Sequence, residues 1–239
     1  MTEENKRLLI EGFSQFDIEV TEEQILQLEK YMNFLLEKNK VMNLTAITDE
    51  AEFIVKHFVD SVSIIPALRE YNVSSLIDVG TGAGFPGIPV KIMCPDINIC
   101  LIDSTGKRIR FLDEVISLLS LTGIKTIQTR AEELGRNPEH REQYDAATAR
   151  AVAPLNSLLE YCMPFVKVGG IFISMKGLGD EPSYSYALKA LCGYLIGEEK
   201  YDLKVENQVI THRNILVKKT NILPTRYPRN TAIITKKPL

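Results

Sequence analysis

Residues 75–89 read Ser-Leu-Ile-Asp-Val-Gly-Thr-Gly-Ala-Gly-Phe-Pro-Gly-Ile-Pro, a short apolar run that opens into three alternating glycines, Gly80, Gly82 and Gly84. The run predicts a buried strand and the glycines a tight turn into a helix. Glycine reaches positive φ and has no Cβ, so backbone N–H groups in such a turn can approach a ligand at the start of the next helix. A nucleotide-like cofactor is therefore the first expectation. A tight turn without a ligand is the competing one, because glycine clusters also serve as ordinary punctuation.

The 239 residues, 45% of them apolar, suffice for one large core with or without a small appendage. No apolar run reaches the roughly 20 residues that span a bilayer, and the acidic start Met1-Thr-Glu-Glu-Asn-Lys-Arg7 does not open a secretory signal. A cytoplasmic protein is expected. Cys94, Cys100, Cys162 and Cys192 are widely spaced, with no C-x-x-C pair, which argues for reduced core residues and against a metal site or a disulfide framework. The net charge of −3 hides an asymmetry. Residues 1–60 carry 13 acids and 6 bases, whereas residues 207–239 carry no acid and seven bases. A nucleic-acid surface at the basic end is permitted by this, and a merely solvated tail equally so.

Thr21-Glu-Glu-Gln24 has the form of a capping box, followed at helical spacing by Ile25, Leu28, Met32 and Leu35. With helices expected over residues 1–16 and Glu50 to about Leu68, residues 1–70 form a helical N-terminal extension packed on the core. His57 reads as a structural histidine rather than a catalyst. From Ser74 short apolar runs alternate with helical periods, the pattern of parallel βα units. Strands are expected at Ser75–Val79, Asn98–Asp103, Lys125–Thr129, Asp145–Thr148, Gly170–Met175, Tyr201–Glu206, Asn214–Lys219 and Thr231–Thr235. Helices are expected at Gly87–Met93, Gly106–Leu121, Pro154–Phe165 and Tyr184–Ile196. Residues 71–239 thus form an α/β, Rossmann-like domain: a mostly parallel sheet with helices on both faces, closed by an antiparallel C-terminal edge and ending in a basic segment.

Two cofactors compete for the turn. Gly82-Ala-Gly84-Phe-Pro-Gly87 matches the dinucleotide string, two residues late and with Pro86 inside it. The frame Asp78-Val-Gly80-Thr-Gly82-Ala-Gly84 instead resembles the first motif of S-adenosylmethionine (SAM) dependent methyltransferases. Asp103, 19 residues beyond Gly84 at the end of the next strand, suits the ribose of either. Ser104-Thr-Gly106-Lys107-Arg108 is no phosphate loop, since Leu101 stands where one needs glycine. Glu132 and Glu133, after the third strand, either meet an adenine or open a helix whose N-terminus favours acids. Arg150, at the tip of the fourth strand, can hold a carboxylate, a phosphate or a base edge, or form a structural ion pair.

Taken in order, Asn43-Leu-Thr45, Lys56-His-Phe-Val-Asp-Ser61, Asp78 through Pro89, Asp103-Ser-Thr-Gly-Lys-Arg108-Ile-Arg-Phe-Leu112, Arg130-Ala-Glu132, Thr148-Ala-Arg-Ala-Val152, Met175-Lys-Gly177 and Arg226-Tyr-Pro-Arg229 resemble the RsmG family, also called glucose-inhibited division protein B. The resemblance covers nearly the whole chain and is most specific at Phe85-Pro86 and Thr148-Ala-Arg-Ala151. It implies a bacterial enzyme that uses SAM to methylate N7 of a guanine in 16S ribosomal RNA, with naked RNA or the small ribosomal subunit as partner. Family cofactor contacts fall on Gly80, Phe85, Ala131, Glu132 and Arg150, the last also as a positioning residue in catalysis. Physical argument adds Asp78, Gly82, Gly84 and Asp103. Lys107, Arg108, Arg110, Arg226 and Arg229 are the expected RNA contacts, and a monomer is the expected state. An NAD oxidoreductase and a non-enzymatic RNA-binding module are the other classes, the first lacking an evident catalytic acid and the second leaving the cofactor motifs idle.

Overall fold

The computed structural model describes residues 1–239 apart from Asp180, Glu206 and Asn207. Seven strands form one sheet: β1 Ser75–Val79, β2 Asn98–Asp103, β3 Ile124–Gln128, β4 Tyr144–Arg150, β5 Val166–Gly177, β6 Gly193–Val205 and β7 Gln208–Lys219. Their order is β3-β2-β1-β4-β5-β7-β6. The first five are parallel, while β7 runs antiparallel to both β5 and β6. Because β1 sits between β2 and β4, the chain reverses its direction of growth there, and the crevice at the carboxyl ends of these strands is where such sheets bind ligands.

The N-terminal helices Glu3–Ser14 and Glu22–Met42 are capped by Thr2 and by the expected Thr21. Both bonds of the Thr21–Gln24 capping box form, and the Gln24 amide also reaches the Ile92 carbonyl at 3.0 Å. Leu28, Tyr31, Met32 and Leu35 are fully buried in one core with Leu76, Ile99 and Leu101 of the sheet, so these helices cover one face of it. Leu155, Leu158 and Leu159 of the helix Leu155–Cys162 cover the other, against Ile77, Ala147 and Phe172. One contact links the first layer to the glycine turn: the buried Tyr31 hydroxyl donates to the Ala83 carbonyl.

Several expectations change. The helix anticipated from Glu50 to Leu68 is interrupted by a π-helical turn at Ile54–Val59 and resumes after Pro66 enters the first turn of Ile65–Glu70. The helix expected to reach Ile196 spans only Ser185–Ala190, since Cys192 takes a left-handed φ of 56° and β6 begins at Gly193. The expected strand at Tyr201–Glu206 is the end of β6, with Glu206 outside the described residues. Thr231–Thr235, expected as a strand from its β-branched content, is part of a helix Thr231–Lys236. Asn230 caps it, its side chain accepting from the Ile233 amide at 3.0 Å, and Ile234 is fully buried. Capping and burial outweigh the weak β propensity of a five-residue run.

Replacing Tyr31 by Phe leaves the Ala83 carbonyl without its partner. Urea unfolding should show a loss of about 1–2 kcal/mol with the far-UV spectrum unchanged.

Candidate active site

At the end of β1 the backbone enters positive φ at Gly80 (71°), Gly82 (62°) and Gly84 (106°). A side chain at Gly84 would meet Ile88, the Tyr31 hydroxyl and Leu112 within 2.9 Å, and one at Gly80 would meet Val152 at 2.8 Å. Space beside Gly82 is open, with nothing within 4 Å of where a Cβ would stand. The turn is thus packed from behind and free in front.

Two carboxylates hold its shape. Asp78 is fully buried, and its Oδ2 accepts from the Thr81 hydroxyl at 2.7 Å and the Gly87 amide at 3.0 Å. Its Oδ1 has no hydrogen-bond partner among the described residues. Burial pushes the Asp78 carboxyl up to about 6, against the opposing pull of Thr81, Gly87 and the Arg150 charge. Asp103, at the end of β2, accepts from the Gly82 amide at 3.1 Å, the Thr105 amide at 2.8 Å and Arg108 at 3.2 Å.

In front of the turn lies a cleft of about 550 Å³. Gly80, Asp103, Arg108, Ala131 and Glu132 line it, together with the loop Ala151–Pro154, Tyr161, Thr231 and Thr235. The carboxyl ends of β1, β2, β3 and β4 supply this lining because all four strands point the same way. Ala151 holds a φ of 55°, an uncommon conformation for a residue with a Cβ and one found often at ligand sites. Of the expected cofactor residues, Gly80, Asp103, Ala131 and Glu132 meet in the cleft wall, with Asp78, Gly82 and Gly84 shaping the turn.

Phe85 and Arg150 meet each other in an adjoining cluster instead. The Arg150 guanidinium lies 5.0 Å from the Phe85 ring centre. It donates to Asp60 Oδ2 at 2.8 Å, to the Lys56 carbonyl at 3.0 Å and to His57 Nδ1 at 3.2 Å. His57 stacks on Phe85 at 4.4 Å, and its Nε2 lies 2.8 Å from the Thr45 hydroxyl. Burial and the Arg150 charge push the imidazole down to about 3, so it stands neutral, accepting from Arg150 and donating to Thr45. Asp60 Oδ1 takes His212 at 2.7 Å and the Tyr201 hydroxyl at 2.9 Å. Burial opposes its charge, but His212 and Arg150 together hold its carboxyl below the usual range. Two N–H groups of the five on Arg150 remain without a protein partner among the described residues, enough to meet an acceptor.

The expected RNA contacts divide. Lys107 and Arg110 are exposed on the helix Gly106–Leu118, and Arg226 is exposed beside Tyr227. Arg108 faces Asp103 in the cleft. Arg229 is a correction: its backbone amide and guanidinium make four bonds of 2.6–3.0 Å to the buried Glu160 carboxylate, which consumes the charge meant for RNA. Sequence reasoning missed Thr231, Thr235 and Tyr161 as cleft residues. It also missed Asp60, His212 and Tyr201 as partners around Arg150; only the motif around Lys56–Ser61 carried a trace of them.

A family model described as rRNA small subunit methyltransferase G matches residues 24–207. The chain belongs to the rRNA small subunit methyltransferase G family. It is 49% identical to ribosomal RNA small subunit methyltransferase G of Acetivibrio thermocellus, over 98% of this chain and 96% of the relative. It is 45% identical to that of Alkaliphilus oremlandii over 99% of both. Two solved structures show the same fold. YcgJ of Bacillus subtilis superposes with a TM-score of 0.52 at 11% identity, over 67% of this chain and 98% of that one. StiE O-MT does so with a TM-score of 0.52 at 11% identity, over 70% and 75%. The chain is thus a methyltransferase of the small-subunit rRNA type, on a Rossmann-like sheet.

The Asp78 environment makes a pH prediction for the fold of this family member. A carboxyl raised from the ordinary 3.8 to about 6 in the folded state binds more protons there than in the unfolded chain, so its contribution falls as pH rises through that window. Between pH 4 and 7 the stability of wild type relative to Asp78→Asn should drop by about 3 kcal/mol at most, read from urea unfolding at both pH values. Parallel pH dependence in the two proteins would contradict this placement of Asp78.

Proposed function

We propose that the protein, acting as a cytoplasmic monomer, transfers a methyl group from SAM to N7 of a guanine in the RNA of the small ribosomal subunit. The observation that carries this is the combination of full-length family membership with a cleft bounded by Gly80, Asp103 and Glu132 at the switch point of the sheet. Among the described residues, no helix is long and apolar enough to cross a membrane.

The residues present fit SAM. Space beside Gly82 admits a ligand against the turn, which Asp78 holds in shape from behind through Thr81 and Gly87. The carboxylate of Asp103 can take ribose hydroxyls, and Ala131 with Glu132 can take the adenine edge. Gly80, Gly82 and Gly84 keep the backbone low enough for the methionine portion. Phe85 and Arg150 adjoin the cleft, whose wall begins at the next residue, Ala151, and the free guanidinium N–H groups can hold an acceptor of the cofactor or the base; this is the positioning role proposed for Arg150.

When bound, SAM would supply an electrophilic methyl for the N7 lone pair, the sulfur–methyl bond breaking as the nitrogen–methyl bond forms and S-adenosylhomocysteine leaving. Guanine N7 carries no proton, so the site needs no general base, and His57, held neutral between Thr45 and Arg150, is not asked to be one. What the protein contributes is alignment. The turn and the β4 tip fix the reacting partners on rigid strand ends, the arrangement from which such displacements gain most of their rate. Lys107 and Arg110, exposed on one helix, are proposed to meet RNA phosphates, with Arg226 beside them in role.

Two outcomes are expected. Labelled methyl from SAM should appear on one guanine N7 of isolated 30S subunits when the modified nucleotide is mapped; label on another atom or on protein would sink the assignment. In Lys107→Glu/Arg110→Glu, methylation should fall at least tenfold and be lost less steeply with salt, because fewer phosphates are neutralised, while the calorimetric SAM affinity stays that of wild type.

A further inference from the structure

The match to the family model ends at residue 207, yet the lining of the cleft does not. Thr231 and Thr235, on the C-terminal helix, form part of its wall, and the Thr231 hydroxyl donates to Oε1 of Glu132 on the facing side. Glu132 is buried to 9% exposure, so its carboxylate has few other ways to be satisfied.

The chain leading to that helix is tied down at every step. Lys219, fully buried, pairs with Glu142 at 2.6 Å and donates to the Met163 carbonyl at 3.0 Å. Arg141 donates to the carbonyls of Leu223 and Tyr227 at 2.9 and 2.8 Å. Arg229 then grips Glu160, fully buried on the helix whose next residue, Tyr161, also lines the cleft. Removing one partner of a buried ion pair strands the other charge, so this anchor is costly to break. Five long-range attachments for so short a segment are more than a solvated tail requires. What they fix is the position of residues 230–235 against Glu132.

We infer that the C-terminal helix is a working wall of the cofactor site, in which Thr231 is a positioning residue that orients the Glu132 carboxylate to accept the exocyclic amine of adenine. A hydroxyl donated to Oε1 fixes the carboxylate plane and leaves Oε2 with its lone pairs for a donor from the ligand. A ligand bearing an amine there is favoured, and one bearing a carbonyl is repelled, because two acceptors would face each other in a dry site. This inference rests on the reading of the cleft as the SAM site.

Calorimetric titration of S-adenosylhomocysteine and of S-inosylhomocysteine into the full chain tests it. The variants are Thr231→Val, Thr231→Ser and a chain ending at residue 229, with Gly82→Val as the control for the cleft itself. Thr231→Val is expected to bind the adenosine ligand roughly tenfold more weakly and to lose most of the preference over the inosine ligand, while Thr231→Ser restores both. In methyl transfer the Thr231→Val change should raise KM for SAM and leave kcat, and KM for 30S subunits, near wild type. The shortened chain should lose the preference as well. Wild-type affinity and preference in both Thr231→Val and the shortened chain would overturn the inference. If Gly82→Val also binds as wild type, the cleft reading fails with it; if Gly82→Val alone loses binding, only the role of the C-terminal helix falls.

Discussion

The acceptance of the Gly82 amide by Asp103 is the contact on which the site depends. It joins the end of β2 to the loop after β1 and holds the glycine turn open on one side only. Behind the turn, Asp78 does the matching task through Thr81 and Gly87, and Tyr31 reaches it from the N-terminal layer. Three separate parts of the chain thus converge on about six residues of backbone. That convergence explains why the helical N-terminal region is packed into the same core as the sheet: its apolar face is also the back of the glycine turn.

A second centre, around Asp60, holds the Arg150 cluster together. One buried carboxylate gathers Arg150 from β4, Tyr201 from β6 and His212 from β7. A buried charge this well surrounded is stable only as a complete set, since loss of one member leaves the others desolvated and unpaired. The antiparallel hairpin of β6 and β7 is therefore more than an edge: it brings two of the three groups that keep Arg150 and its carboxylate fixed. His57, in the π-helical turn Ile54–Val59, and Asp60, just after it, meet the same guanidinium. Such turns are often kept where a side chain must be re-aimed.

Local signals in the sequence were readable wherever the physics is local. The capping box at Thr21, the glycine turn after β1, the carboxylate ending β2 and the βα alternation each need only a few neighbouring residues, and each is found in the structure. The antiparallel end of the sheet was also legible, from short connections late in the chain. What escaped was long-range pairing. Arg229 looked free because Glu160 lies 69 positions away, and Thr231 looked like a strand residue because neither Asn230 as a cap nor Glu132 as a partner can be seen in a β-branched run. Arg150 was recognised as special, but its partners were named only as a possibility of an ion pair. The substrate came from resemblance alone, as no residue pattern by itself distinguishes a guanine N7 from another ring nitrogen.

A crystal structure of the full chain with S-adenosylhomocysteine tests the central claim most directly. The ligand is expected in the cleft at the carboxyl ends of β1 to β4, with Asp103 on the ribose, Glu132 on the adenine edge and the amino-acid portion against Gly80 and Gly82. Ligand density elsewhere, for example in the groove of about 390 Å³ between Cys100, Lys125 and Tyr144 at the opposite ends of the strands, would contradict it.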